Sequence, residues 1–157
     1  MTGPAIELRG VRHAYDDATE VLHGIDLTIE RGEIFGFLGH NGAGKTTAMN
    51  ILTTLLVPTG GEASVCGFDV VAERGEVTRR IGYLPADVRL YGHLTALENL
   101  DFYAKLSGVD RPREAARKTL DDLGASELAD GRLSSFSTGM RQRIGIAQAV
   151  LHDPEVL

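Results

Sequence analysis

Gly39-His40-Asn41-Gly42-Ala43-Gly44-Lys45-Thr46 is the run of this chain whose residue types and spacing most directly imply chemistry. It fits G-x-x-x-x-G-K-[ST], a pattern that has meaning when an apolar strand precedes it and a helix follows. Both flanks are present in Glu33 to Leu56, EIFGFLGHNGAGKTTAMNILTTLL. Glycines admit backbone conformations that a side chain forbids, so several N–H groups can turn inward on a polyphosphate at the positive end of the helix. Lys45 would place a compact charge between the β- and γ-phosphates. The Thr46 hydroxyl would be one ligand of a Mg²⁺ that otherwise keeps water and phosphate oxygens.

Other elements must hold that loop in place. Ile6 to Val11 and Ile25 to Glu30 alternate apolar and polar residues, and Ile34 to Leu38 is a nearly continuous apolar run. The patterns predict three strands, the third buried. Ala48, Ile51, Leu52, Leu55 and Leu56 repeat at helical spacing and predict a helix with one face on a sheet. Glu62 to Cys66 reads as a strand, Gly67-Phe68-Asp69 as a turn, and Ile81-Gly82-Tyr83-Leu84-Pro85 as a short buried strand closed by proline. Thr95 with Glu98 predicts a capping box, followed by a helix with Leu97, Leu100, Tyr103, Ala104 and Leu106 as its apolar stripe. A second helix starts at Pro112, faces the core with Ala116, Leu120 and Leu123, and ends at Gly124. Two helices in succession suggest an inserted helical subdomain. Ser137 is placed to cap a third, on which Met140, Ile144, Ala147 and Leu151 share a face while Arg141, Gln142, Arg143 and Gln148 take the other. Its Ser-Thr-Gly opening is a second anion-accepting surface. Asp153-Pro154 stops this helix.

With 157 residues the chain has room for one domain with a core, or part of one. A net charge of −6 argues against a nucleic-acid surface, because phosphate backbones call for clustered cations, and Arg79-Arg80 and Arg141 with Arg143 are short clusters. Cys66 is the sole cysteine, which excludes an internal disulfide and a cysteine metal site; it is expected as a small buried residue. No signal peptide is visible at the N-terminus, and no apolar run is long enough to cross a bilayer. The expectation is a cytoplasmic protein whose membrane link comes through a partner. Tyr15, in the turn His13-Ala14-Tyr15-Asp16-Asp17, reads as a surface tyrosine on its own and as a stacking face for a base once a nucleotide site is accepted.

Taken in order, these motifs resemble the ATP-binding cassette (ABC) ATPases, the nucleotide-binding subunits of ABC transporters, over nearly the whole chain. Gly39 to Thr46 is similar to that family's phosphate loop. The resemblance implies that Tyr15 stacks on adenine and that Thr47 lies beside the α-phosphate. Ser137-Thr138-Gly139-Met140-Arg141-Gln142-Arg143 looks like the signature sequence, with Met140 where many members have Gln. Leu151 to Leu157 resembles the approach to the Walker B strand. The implied fold is α/β, a P-loop NTPase (RecA-like) core with an antiparallel β subdomain and an inserted helical subdomain, incomplete at the C-terminus. The implied parts are 1–87 (β subdomain and P-loop core), 88–136 (helical subdomain) and 137–157 (signature helix and start of the Walker B strand). Cofactors would be ATP and Mg²⁺, and partners an integral-membrane permease and a second cassette, identical or not, whose signature closes over the γ-phosphate. The phrasing of the loop and of Ile81 to Pro85 looks most like the drug- and lipid-exporter branch.

Two departures from the family pattern stand out. Ala86 occupies the position after Pro85 where the family usually has a Gln that contacts Mg²⁺ and the attacking water; Asp87 could partly substitute. The chain also stops before the family's Walker B aspartate, catalytic glutamate and switch histidine, so no catalytic residue is expected within it. A lost general base alone removes about 10²- to 10⁴-fold of rate, so the isolated chain is expected to hydrolyse ATP near background and to aggregate or bind ATP weakly. The alternatives are a non-catalytic nucleotide-binding fragment, or a soluble ABC protein of translation or repair. A GTPase would need Asn-Lys-x-Asp, which does not occur.

Overall fold

The computed structural model describes residues 3–16 and 19–157. The chain divides into two compact units, Met1–Ile81 with Val156, and Gly82–Glu155 with Leu157.

In the first unit, strands β1 (Ile6–Ala14), β2 (Glu20–Ile29), β3 (Gly60–Val65) and β4 (Phe68–Asp69) form one antiparallel sheet in the order β2-β1-β3-β4. Alternation is the reason β1 can sit in the middle: Ile6 and Leu8 point into the core while Arg9 faces out. The pairing of β1 with β2 slips between Leu8 and Val11. That bulge switches the inward phase, so beyond it Val11 and His13 are buried and Arg12 is outside. Helix α1 (Lys45–Leu52) packs Ala48, Ile51 and Leu52 into the same core as Leu8, Val11, Leu22 and Val65. Cys66 is buried, as its neighbours suggested.

Several expectations for this unit need correction. Helix α1 ends at Leu52 rather than running to Leu56, and Leu55 is exposed. Thr53 Oγ1 donates to the Met49 carbonyl, Thr54 takes a positive φ of 62°, and the Leu55 and Leu56 N–H groups both turn back to Asn50 O. Such local hydroxyl bonds compete with the helix ladder. Phe68-Asp69 is a short strand, not only a turn, pairing with Ser64-Val65. Ile34 to Leu38 is neither a strand nor buried: Ile34 is 103% and Leu38 92% exposed. A strand needs a ladder partner, and among the described residues none pairs with this run. For the same reason Ile81 to Pro85 yields only a single parallel bridge, Ile81 to Val156. A helix not anticipated from periodicity, α2 (Arg74–Arg80), is braced by Glu76, which pairs with Arg79 and Arg80. Arg79 is solvated, but Arg80 is partly buried, with its guanidinium 4.1 Å from the Phe68 ring centroid.

The second unit holds α3 (Ala96–Leu106), α4 (Pro112–Asp122) and α5 (Thr138–Val150), joined by short 3₁₀ turns at Ser126–Leu128 and Leu133–Ser135. Leu97, Leu100, Ala104, Ala116, Leu120, Leu133, Ile144, Ala147 and Leu151 make one core. The predicted capping box is present: Glu98 N–H donates to Thr95 Oγ1 at 3.2 Å, and Thr95 N–H donates to Glu98 Oε2 at 2.8 Å. The Thr95 backbone N–H, and after it the Thr95 hydroxyl, hold the Glu98 carboxyl below its ordinary pKa. Leu106 and Leu123, assigned inward by periodicity, are exposed at helix ends where the stripe runs past the core. Asn99, which no pattern singles out, is fully buried and pins the preceding loop: its Oδ1 accepts from Tyr91 N–H, and its Nδ2 donates to Tyr91 O and Thr95 O.

Candidate functional site

Helix α1 begins on Gly44, whose φ of 81° is a left-handed conformation that favours glycine. Space enforces the same choice: a Cβ there would lie 2.5 Å from Leu22 Cδ2 and 3.2 Å from Val21 O. No side chain caps the helix and no acidic residue stands in its first turn. Its first N–H groups and the positive end of its dipole therefore face the loop without a built-in acceptor.

The loop curls round that opening. Ala43 N–H donates to His40 O at 3.2 Å, and the His40 ring bonds the Asn41 carbonyl at 2.9 Å. Lys45 Nζ folds back to donate to Gly39 O at 2.5 Å and His40 O at 2.7 Å. Both acceptors are neutral carbonyls, so a phosphate could take the ammonium from them by offering a charged acceptor. Thr46 is exposed beside Lys45, and its hydroxyl can reach a metal that arrives with phosphate oxygens. Among the described residues no cluster of His, Cys, Asp or Glu could hold a metal ion by itself. The residues present thus fit a Mg²⁺ carried in on a nucleotide, with Thr46 its one protein hydroxyl.

Tyr15 is brought to the same helix. Its hydroxyl shares a 3.1 Å hydrogen bond with Thr47 Oγ1, while 59% of the residue is open to solvent. Thr47 is buried. Beneath Tyr15 lies His13, with ring centroids 4.8 Å apart and planes at 84°. Sequence reasoning did not single out His13. Only the bulge in β1 turns it inward, and the sole hint was its place two residues before Tyr15.

In the second unit, Ser137 caps α5: its Oγ accepts from Met140 N–H at 3.3 Å. Ser137, Thr138 and Gly139 are exposed and Met140 is partly buried; a Cβ on Gly139 would meet nothing within 4 Å. The neighbouring arginines are engaged rather than free. Arg141 donates from Nε and Nη2 to Phe136 O, while Arg143 donates to Glu127 Oε1 at 3.0 Å and to Gly124 O. Ala86 is exposed, and the adjacent Asp87 carboxylate lies 3.6 Å from Arg89 Nε. No helix among the described residues is long and apolar enough to cross a membrane.

Comparison with known proteins adds the following. The sequence pattern of the family described as "ABC transporter" matches residues 22–157. The ABC transporter ATP-binding protein NatA of Bacillus subtilis (strain 168) is 43% identical over 138 residues, which are 85% of this chain and 55% of NatA. The daunorubicin/doxorubicin resistance ATP-binding protein DrrA of Streptomyces peucetius is 39% identical over 155 residues, 98% of this chain and 47% of DrrA. The chain spans about half the length of these curated relatives. A solved structure described as "Structure of ATP binding subunit of ABC transporter" superposes with a TM-score of 0.82 at 28% identity, covering 96% of this chain and 63% of that one. The fold of such neighbours is the P-loop NTPase fold of ABC ATPases, as the motifs suggested.

Proposed function

The chain belongs to the ABC transporter family of ATP-binding domains, and on that premise we propose that it binds Mg-ATP as part of an ABC transporter's energy-coupling subunit of the drug-exporter kind. The observation that carries the proposal is the open start of α1, with glycine at its cap and Lys45 held over it by two carbonyls. Names of relatives such as DrrA and the bacitracin transport protein BcrA support the exporter branch.

In this reading the N–H groups of the loop and of the first turn of α1 take the β- and γ-phosphates. Lys45 leaves Gly39 and His40 to join them, Thr46 supplies its hydroxyl to Mg²⁺, and Thr47 lies at the α-phosphate with Tyr15 stacked on the base. Ser137 to Met140 of a second cassette complete the site from outside. Hydrolysis in the full-length protein is in-line attack of water on the γ-phosphate, driven mainly by positioning and charge stabilisation. Closure and opening of the cassette pair would be passed to an integral-membrane permease, which would hold the protein at the cytoplasmic face of the membrane. The functional division proposed is 1–87, 88–136 and 137–157.

A second reading, a nucleotide-binding module that turns over little, is favoured by Ala86, which can neither ligate a metal nor orient water. Isothermal titration of the full-length protein with Mg-ATP separates the possibilities. Lys45→Ala should weaken binding about 10- to 100-fold, the range for losing a charge-assisted contact; unchanged affinity would overturn the nucleotide site. Tight binding without steady phosphate release would select the second reading.

A further inference from the structure

Among the described residues, His13 is the buried histidine, with 5% of its surface exposed. Its Nδ1–H donates to the Val57 carbonyl at 3.1 Å, and its Nε2 is buried with no hydrogen-bond partner among the described residues. A ring nitrogen left without a partner in the core costs free energy that a purely apolar side chain would avoid. Packing alone therefore does not account for an imidazole here. The ring does two things together: the Val57 carbonyl fixes its plane, and its contact with Tyr15 is edge-to-face. Tyr15 lies just past the end of β1, largely exposed, and is otherwise tethered through its hydroxyl to Thr47.

We propose that His13 is a positioning residue for Tyr15, clamping the phenol ring from below so that its open face is already oriented to receive a nucleotide base. This rests on the nucleotide-site reading above and assigns His13 a part in it. Val57 O, His13, Tyr15 and Thr47 then form one chain of contacts from the loop before β3 to the third residue of α1. Base stacking gains because less side-chain freedom is lost on binding, the general benefit of preorganisation. Triphosphate binding, which depends on the loop and Lys45, gains nothing.

That split supplies the test. In the full-length protein, titrate ATP and inorganic tripolyphosphate against His13→Ala, Tyr15→Ala, the double variant and Lys45→Ala. His13→Ala should weaken ATP about three- to tenfold, the affinity equivalent of one aromatic pair, and leave tripolyphosphate unchanged. The double variant should be no weaker than Tyr15→Ala alone, because the clamp acts only through the ring it holds. His13→Phe, which restores the ring, should recover part of the loss, and His13→Asn, which restores only a donor, should not. If His13→Ala fails to fold, the last two variants carry the same comparison. Undiminished ATP affinity in His13→Ala, equal losses for ATP and tripolyphosphate, or additive losses with Tyr15→Ala would each overturn the proposal. If Tyr15→Ala binds ATP normally while Lys45→Ala does not, the clamp falls and the nucleotide site stands; if Lys45→Ala binds both probes normally, the site itself falls.

Discussion

Helices α1 and α3 begin in opposite ways. At α3, Thr95 and Glu98 close the first turn on itself, each accepting an N–H that would otherwise be unsatisfied. At α1, Gly44 offers no side chain, no carboxylate stands in the first turn, and the nearby cation is folded onto carbonyls. Helix α1 has 8 residues and α3 has 11, and the two differ in whether the first turn closes on its own side chains. The latter closes its first turn with its own side chains; the former leaves its first donors without a side-chain acceptor, where we propose that the nucleotide phosphates bind. Helix α5 lies between the two, with Ser137 satisfying one donor at 3.3 Å and Thr138 and Gly139 exposed beside it.

The contrast can be tested by closing what is open and opening what is closed. The largest effect is expected from Gly44→Ala. A Cβ at 2.5 Å from Leu22 Cδ2, on backbone of positive φ, should cost about 2–4 kcal/mol of stability and distort the phosphate loop enough to abolish ATP binding. Denaturant unfolding and nucleotide titration check the two halves. Thr95→Ala should cost about 1 kcal/mol in the same unfolding assay and leave ATP affinity where it was. Loss of ATP binding in that variant would erase the distinction drawn between the helices. Helix α4 supplies a control, since its cap Arg111 also has a positive φ, 49°, but is exposed. Arg111→Gly should stabilise by about 0.5 kcal/mol, strain relief outweighing chain entropy, so glycine helps there for the reason alanine harms at position 44.

The smallest effect is a pH dependence. The folded state lowers the Glu98 pKa, so the carboxylate's contribution to stability is present above the unfolded pKa and is lost as pH falls through the folded one. Glu98→Gln keeps an acceptor for Thr95 N–H but cannot titrate. The difference in melting temperature between the two proteins should therefore shrink on acidification below the ordinary carboxylate range. A difference that stays constant to low pH would show that the charge adds nothing to the box.

What was legible in the sequence was local. The loop and the start of α1, the Thr95–Glu98 box, Pro112 at the start of α4, the Ser137 cap and the Asp153-Pro154 stop are each decided within a few residues. Helix α5 ends at Val150, and Asp153, three residues on, takes a positive φ of 56° ahead of Pro154. What was not legible depends on distant partners. Ile34 to Leu38 and Ile81 to Pro85 have strand composition, but a strand forms only against a neighbour. Leu106 and Leu123 keep the helical period one turn beyond the core that gives it meaning. His13 moved to the core side through a one-residue slip in β1, invisible to any count of alternation, and with it went the most informative contact of Tyr15.

Among the described residues the run at 34–38 pairs with no strand, and this sets an expectation for the chain in solution. Bare main-chain donors beside Ile34 and Leu38 suit another copy's backbone as well as any intramolecular one. Loss of material from concentrated stocks would then rise with encounter frequency between molecules, and dilution would slow it.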